Sequence, residues 1–315
     1  MTGGKVIPRR LITIGSRGSL LALRQTQQVA GQLALLYPQY HFAVKRIKTR
    51  GDKAEHLTLS QLKGKGLFVK ELEIALLGGD IDLAVHSLKD LPLQLSPGLE
   101  VAAISQREDT RDVLVSRGDK PLADLTEGAL LGTSSPRRIA QIKAFRSDLV
   151  IGDIRGNIET RLNKVSRGEF DGVILAACGL LRLGWEDRIS QYLSGDICLP
   201  QVGQGALAIE VRQEDEEIKQ IVLPLDHRPT RQATTAERAL LHFLGGGCHI
   251  PIAALGQVCD NTLKLTGVVG SLSGEKLLRA ELDGDVATPE KVGILLAQKL
   301  IAQGAREILA EATRC

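Results

Sequence analysis

Leu130-Leu131-Gly132-Thr133-Ser134-Ser135-Pro136-Arg137-Arg138 is the stretch on which the fold turns. Its first four residues read as a short buried strand, and Ser135-Pro136 offers a helix N-cap followed by proline at the first helical position. A strand that runs straight into a helix is half of a βαβ unit. The two arginines in the first turn put positive charge where the helix dipole is already positive, at a cost of a few tenths to about 1 kcal/mol each. Either both side chains reach water, or an anion sits at the helix start, where free N–H groups also point.

The same pattern extends in both directions. Upstream, residues 11–15 read as a strand, Ser19 as the N-cap of a helix to about Leu36, and residues 42–49 as a second strand. Residues 50–66 are polar and rich in Lys and Gly, the composition of a long mobile loop. A helix over 68–77 stops at Gly78-Gly79 ahead of a short strand over 81–85. Strands at 113–116, 130–133, 150–154 and 172–176, with a helix capped by Asn157 and running to about Arg167, restart the alternation without an exact sequence repeat. A strand over 206–211 can return to the first lobe. The expected class is therefore α/β, with mainly parallel sheets in two lobes separated by a cleft. The lobes span residues 1–105 plus 206–223, and residues 106–205. From about Pro224 the character changes. A helix near 234–244, strands at 252–258, 263–269 and 276–282, and a helix over 290–303 predict a smaller α+β domain with an antiparallel sheet over 224–315.

Composition narrows the function. A net charge of +3 is too small to argue for nucleic acid or an anionic membrane. How the charge is made says more, because 24 of the 40 basic residues are Arg. A guanidinium holds a carboxylate in a two-pronged fork and an ammonium cannot, so an Arg-rich, nearly neutral chain suits small polycarboxylates. Five cysteines, Cys178, Cys198, Cys248, Cys259 and Cys315, form an odd, sparse set without CxxC spacing. Neither a disulfide framework nor a structural zinc site is expected, and no metal. Residues 1–10 lack the apolar core of a signal peptide, and no segment approaches the roughly 18 apolar residues of a membrane span. A reducing cytoplasm is the expected compartment.

Ligands of open α/β sheets bind beyond the carboxyl ends of the strands. Arg17, Arg155, Arg161 and Arg182 join Arg137 and Arg138 there. His86-Ser87-Leu88-Lys89-Asp90-Leu91-Pro92 also follows a strand, and Asp90 could steady a developing cation or orient an N–H donor; the alternative is a loop carboxylate paired with Lys89. In Gly245-Gly246-Gly247-Cys248-His249-Ile250-Pro251, three glycines bare the approach to one thiol. His249 is a poor base for it, since sequence neighbours rarely face each other and no orienting group is evident. Gln201-Val202-Gly203-Gln204-Gly205-Ala206 is a glycine-rich crossing between the lobes. P-loop, HExxH and GxSxG patterns are missing.

Residues 15–23 (GSRGSLLAL), 86–92 (HSLKDLP), 132–138 (GTSSPRR), 154–161 (IRGNIETR), 175–184 (LAACGLLRLG), 200–206 (PQVGQGA) and 245–251 (GGGCHIP) together resemble the hydroxymethylbilane synthase family, also called porphobilinogen deaminase. The matches keep the family's order and span almost the whole chain. The resemblance implies two lobes like periplasmic binding proteins and a third domain carrying a cysteine. It implies a covalent dipyrromethane cofactor held by that cysteine through a thioether, which Cys248 matches. It implies a transferase that adds four porphobilinogen units, releasing ammonia each time, and frees hydroxymethylbilane by hydrolysis. Asp90 matches the catalytic aspartate. Lys89, Asp90, Ser135, Arg137, Arg138 and Arg182 match cofactor-binding positions, and Arg17, Ser19, Arg155, Arg161 and Gln204 match substrate-binding ones. A monomer with no nucleic-acid or membrane partner is implied as well. A two-lobed, non-enzymatic carboxylate-binding protein is the other reading; it leaves Cys248 and Asp90 idle.

Overall fold

The computed structural model describes residues 10–49, 69–246 and 250–314; the expected loop over 50–66 and the thiol of Cys248 lie outside them. Strand β1 (Leu11–Arg17) pairs in parallel with β2 (His41–Ile47) and with β3 (Leu83–Ser87). Helix α1 (Leu20–Leu36) makes the first crossover. Its buried residues Thr26, Val29 and Leu33 recur at helical spacing, and Val29 and Leu33 pack with Ile12 and Ile14 of β1. Helix α2 (Lys70–Leu77) buries Leu72, Ala75 and Leu76 against Ile81 and Ala84. Strand β4 (Leu99–Ile104) lies at one edge of this sheet.

A second sheet follows. Its strands are β5 (Asp112–Ser116), β6 (Leu130–Gly132), β7 (Val150–Gly152), β8 (Gly172–Ala176) and the two-residue β9 (Gln191–Tyr192), in the order β7-β6-β8-β5-β9. Strands β6, β7 and β8 are parallel, and β5 runs antiparallel to β8 and β9. Helices α3 (Pro136–Phe145) and α4 (Ile158–Ser166) make the crossovers, and α5 (Ala177–Leu183) follows β8. Strand β10 (Leu207–Arg212) then returns to the first sheet, which becomes β2-β1-β3-β10-β4, and is followed by α6 (Glu216–Val222). Each sheet thus holds three parallel strands in the order second, first, third. In each, a strand from outside that trio takes the fourth place.

The C-terminal part opens with α7 (Arg228–Phe243), which starts earlier than the sequence pattern predicts. His227 caps it by accepting from Thr230 N at 3.3 Å, and Pro229 occupies its first turn, so the polar run before residue 234 is already helical. Strands β11 (Ile252–Cys259), β12 (Thr262–Gly270) and β13 (Leu277–Asp285) form the expected antiparallel sheet, followed by α8 (Pro289–Ala302) and α9 (Ala305–Arg314). Its core joins Ala236 and Leu240 of α7 to Leu263, Leu265, Leu296 and Leu300.

The chain divides into two compact units. One comprises Met1–His86, Gln94–Ser105 and Leu207–Asp226; the other comprises Ser87–Leu93, Gln106–Ala206 and His227–Cys315. Within the second, Glu237 of α7 is fully buried and takes the guanidinium of Arg107 at 2.5 and 3.1 Å. The same carboxylate accepts from Gly203 N at 2.7 Å and Gly256 N at 2.8 Å. A buried carboxylate surrounded by donors in this way joins the small sheet to the crossing segment. Among the described residues, no helix is long and apolar enough to cross a membrane.

Candidate active site

Beyond β3 the chain turns tightly through Leu88–Asp90. Leu88 is buried and anchors the turn, Lys89 is half-buried, and Asp90 is exposed. The residues around the turn are held by backbone groups: Leu88 N donates to Ala206 O at 3.0 Å, and Arg238 donates to Leu91 O and Pro92 O at 3.2 and 2.6 Å. Lys89 Nζ donates to Gln204 Oε1 at 3.2 Å.

The crossing that carries Gln204 can approach this turn only because of its glycines. A Cβ on Gly203, whose φ is +73°, would lie 3.2 Å from Lys89 N. At Gly205, with φ +92°, a Cβ would lie 2.4 Å from Glu108 O, a backbone atom that cannot swing away. Gly205 O also accepts from Arg182 Nη2 at 2.6 Å. Gly205→Ala is therefore expected to destabilise the protein by about 2 kcal/mol or more, through strain at a φ that alanine avoids. Arg182 should shift with it, and a thermal melt checks the loss of stability.

Gln204 is completely buried, and its amide donates to Thr110 O at 2.7 Å and to Asp112 Oδ1 at 2.9 Å. Asp112, the first residue of β5, is the hub of the site. Its Oδ2 lies 2.7 Å from Arg137 Nη1 and its Oδ1 2.7 Å from Arg138 Nη2. The two arginines of α3 are 3% and 8% exposed, so neither reaches solvent, and the anion at this helix start is one the protein supplies itself. Burial disfavours the Asp112 charge, but Arg137 and Arg138 outweigh it and hold the carboxyl well below the usual range. Cys198 Sγ donates to Asp112 Oδ2 at 3.3 Å, and burial beside that carboxylate pushes the thiol up to about 12.

The arginines are not used up by these contacts. Arg137 Nη1 also donates to Leu199 O at 2.6 Å and Arg138 Nη1 to Ile174 O at 2.8 Å. Among the described residues, however, Arg137 Nε and Nη2, Arg138 Nε and Arg182 Nε are buried donors with no partner. Ser135 stands at the N-cap of α3 without a side-chain cap bond. On the neighbouring loop, Arg155 Nε lies 3.3 Å from Asp153 Oδ2, and Arg161 Nε donates to Gly156 O at 2.8 Å. Burial, then Arg138 and Arg155, bring Arg161 down to about 10, opposed by Asp153 and Asp90. It remains a cation at neutral pH, in a place already crowded with positive charge. An anion placed there would relieve that crowding.

In the other unit, Arg17 ends β1, and Ser19 caps α1 by accepting from Ala22 N at 3.3 Å, as its sequence position predicts. Within the second unit the fold thus gathers Lys89, Asp90, Ser135, Arg137, Arg138, Arg155, Arg161, Arg182 and Gln204. Sequence reasoning missed Asp112 and Cys198. The available signal was an acidic residue opening an otherwise apolar strand, Asp112-Val113-Leu114-Val115. A charge at such a position is kept only with a buried partner.

These features define an α/β protein with a buried cluster of guanidinium donors. Comparison with known proteins gives the family. Residues 12–220 match the family model "Porphobilinogen deaminase, dipyromethane cofactor binding domain", and residues 231–302 match "Porphobilinogen deaminase, C-terminal domain". A Geobacter metallireducens relative is 51% identical over 304 residues, covering 96% of this chain and 95% of the relative. Relatives from Geobacillus kaustophilus (301 residues, 95% of this chain and 97% of the relative) and Synechococcus elongatus (307 residues, 96% of each) are both 49% identical. All three carry the name porphobilinogen deaminase. The chain belongs to the porphobilinogen deaminase family.

Proposed function

We infer that this chain is a hydroxymethylbilane synthase: a transferase that joins four porphobilinogen molecules, releasing ammonia, onto a bound dipyrromethane and then frees the linear tetrapyrrole by hydrolysis. Family membership over nearly the full length carries this reading, and it leaves the non-enzymatic alternative disfavoured. Each pyrrole of substrate and cofactor bears an acetate and a propionate, so both present carboxylates. The buried, unpartnered donors of Arg137, Arg138 and Arg182 suit such groups in number and chemistry.

In this reading Cys248 tethers the dipyrromethane, and Lys89, Asp90, Ser135, Arg137, Arg138 and Arg182 hold it. When bound, the cofactor supplies the nucleophilic pyrrole carbon at which the chain is extended. Arg17, Ser19, Arg155 and Arg161 receive substrate carboxylates, and Gln204 serves binding by fixing Lys89. Asp90, an exposed carboxylate of the site, accepts pyrrole N–H groups and stabilises the positive charge that develops on porphobilinogen as ammonia departs. The protein works as a monomer in the cytoplasm, without nucleic acid or membrane.

Intact mass tests the reading directly. The purified protein should carry a covalent addition the size of two linked pyrroles, and Cys248→Ser should lack both the addition and the activity. An active preparation with the unmodified mass would falsify it.

A further inference from the structure

We propose that Asp112 is the positioning residue of this site: one fully buried carboxylate that orients both arginines of α3 and, through Gln204, the ammonium of Lys89. The inference rests on the function proposed above for what the oriented groups bind, but its geometric basis is independent. Asp112 is 0% exposed and receives Arg137, Arg138, Gln204 and Cys198, two donors on each oxygen. Each guanidinium is held at one end, by Asp112 and by a backbone carbonyl, Leu199 O or Ile174 O. The other edge is fixed in direction yet keeps free donors: Nε and Nη2 of Arg137, and Nε of Arg138. A planar guanidinium pinned at one end has little rotational freedom to lose when a ligand carboxylate docks at the other. The same carboxylate fixes the Gln204 amide, so that the amide oxygen faces Lys89 Nζ at 3.2 Å. Asp112 touches no reacting atom in this scheme; it acts through three residues that do the binding.

A purely structural ion pair would be felt in stability alone, so the decisive readouts are others. Asp112→Asn keeps the shape and removes the charge. Its holo fraction, read by intact mass after expression, should fall by about tenfold, the effect of losing a charge-assisted hydrogen-bond partner. In protein labelled with 15N-arginine, the Nε–Hε signals of Arg137 and Arg138 should broaden, while that of Arg107, paired with Glu237, stays sharp. In whatever fraction is loaded, KM should rise more than kcat falls. A folded Asp112→Asn that loads as fully as the parent, with sharp Arg137 and Arg138 signals and unchanged KM, overturns the proposal. Should that variant not fold, Gln204→Leu decides, because it spares both ion pairs and removes the amide that links Asp112 to Lys89, along with its bond to Thr110 O. It should raise KM by about tenfold, and parental KM overturns the proposal. If the parent itself carries no adduct, the proposed function fails instead, and the arginine signals still decide the role of Asp112.

Discussion

Asp90→Asn is expected to fold, acquire its cofactor and lose nearly all turnover. The side chain is exposed, and among the described residues its carboxylate makes no hydrogen bond, so an isosteric amide breaks none and gives up only the attraction to Arg161. Stability should change by less than about 0.5 kcal/mol. The amide still accepts a hydrogen bond through its oxygen but cannot balance a cation. Loss of one preorganised electrostatic stabiliser typically lowers kcat by about 100- to 1,000-fold, and the drop here should reach the upper figure, because the charge itself is lost. The measurement is porphobilinogen consumption by a preparation whose mass shows full cofactor occupancy. Consumption near the parental rate would remove Asp90 from the central role.

The largest combined effect is expected for Arg137→Leu with Arg138→Leu. Both guanidiniums neutralise Asp112, and removing the partners of a buried charge costs about 3–5 kcal/mol. The double variant should therefore melt well below the parent and emerge without cofactor. Its pH dependence should also reverse. In the parent, Asp112 titrates below its ordinary 3.8, so its contribution is present above that value and is lost as the pH falls through the depressed one. Without the arginines, burial outweighs the remaining hydrogen bond from Gln204 and raises the carboxyl, so mild acid should stabilise the variant relative to neutral pH. Normal holo-enzyme from this pair would refute the role of the buried donors, and an unchanged acid limb would refute the electrostatic account.

Much of this architecture was legible in the sequence, where local chemistry marks each boundary. Ser19 and Asn157 cap the helices they were expected to cap, and Pro136 opens α3. Some of the elements that escaped notice lack such marks or are very short, although β4, which follows Pro97-Gly98, is neither. Helix α5 continues the apolar run of β8 with no capping side chain at Ala176, and β9 is two residues long. Helix α6 is a different case: Asp215 does cap it, accepting from Ile218 N at 3.2 Å, and that cue went unread. At the site, the arginines were legible from their place after strands. Their burial was not. The carboxylate that draws them inward lies on β5, far from α3 in sequence, and no local periodicity encodes a pairing of that kind.

The place of β10 bears on how the chain is made. A ribosome delivers β1 to β4 first, yet β10 must lie between β3 and β4, and it emerges only after all of β5 to β9. Strands of the first sheet therefore wait, with β3 and β4 unjoined, while the whole second sheet is synthesised and can complete itself. The sheet translated first is thus completed after the sheet translated second, and until β10 arrives the edges of β3 and β4 stand open to pairing with other chains.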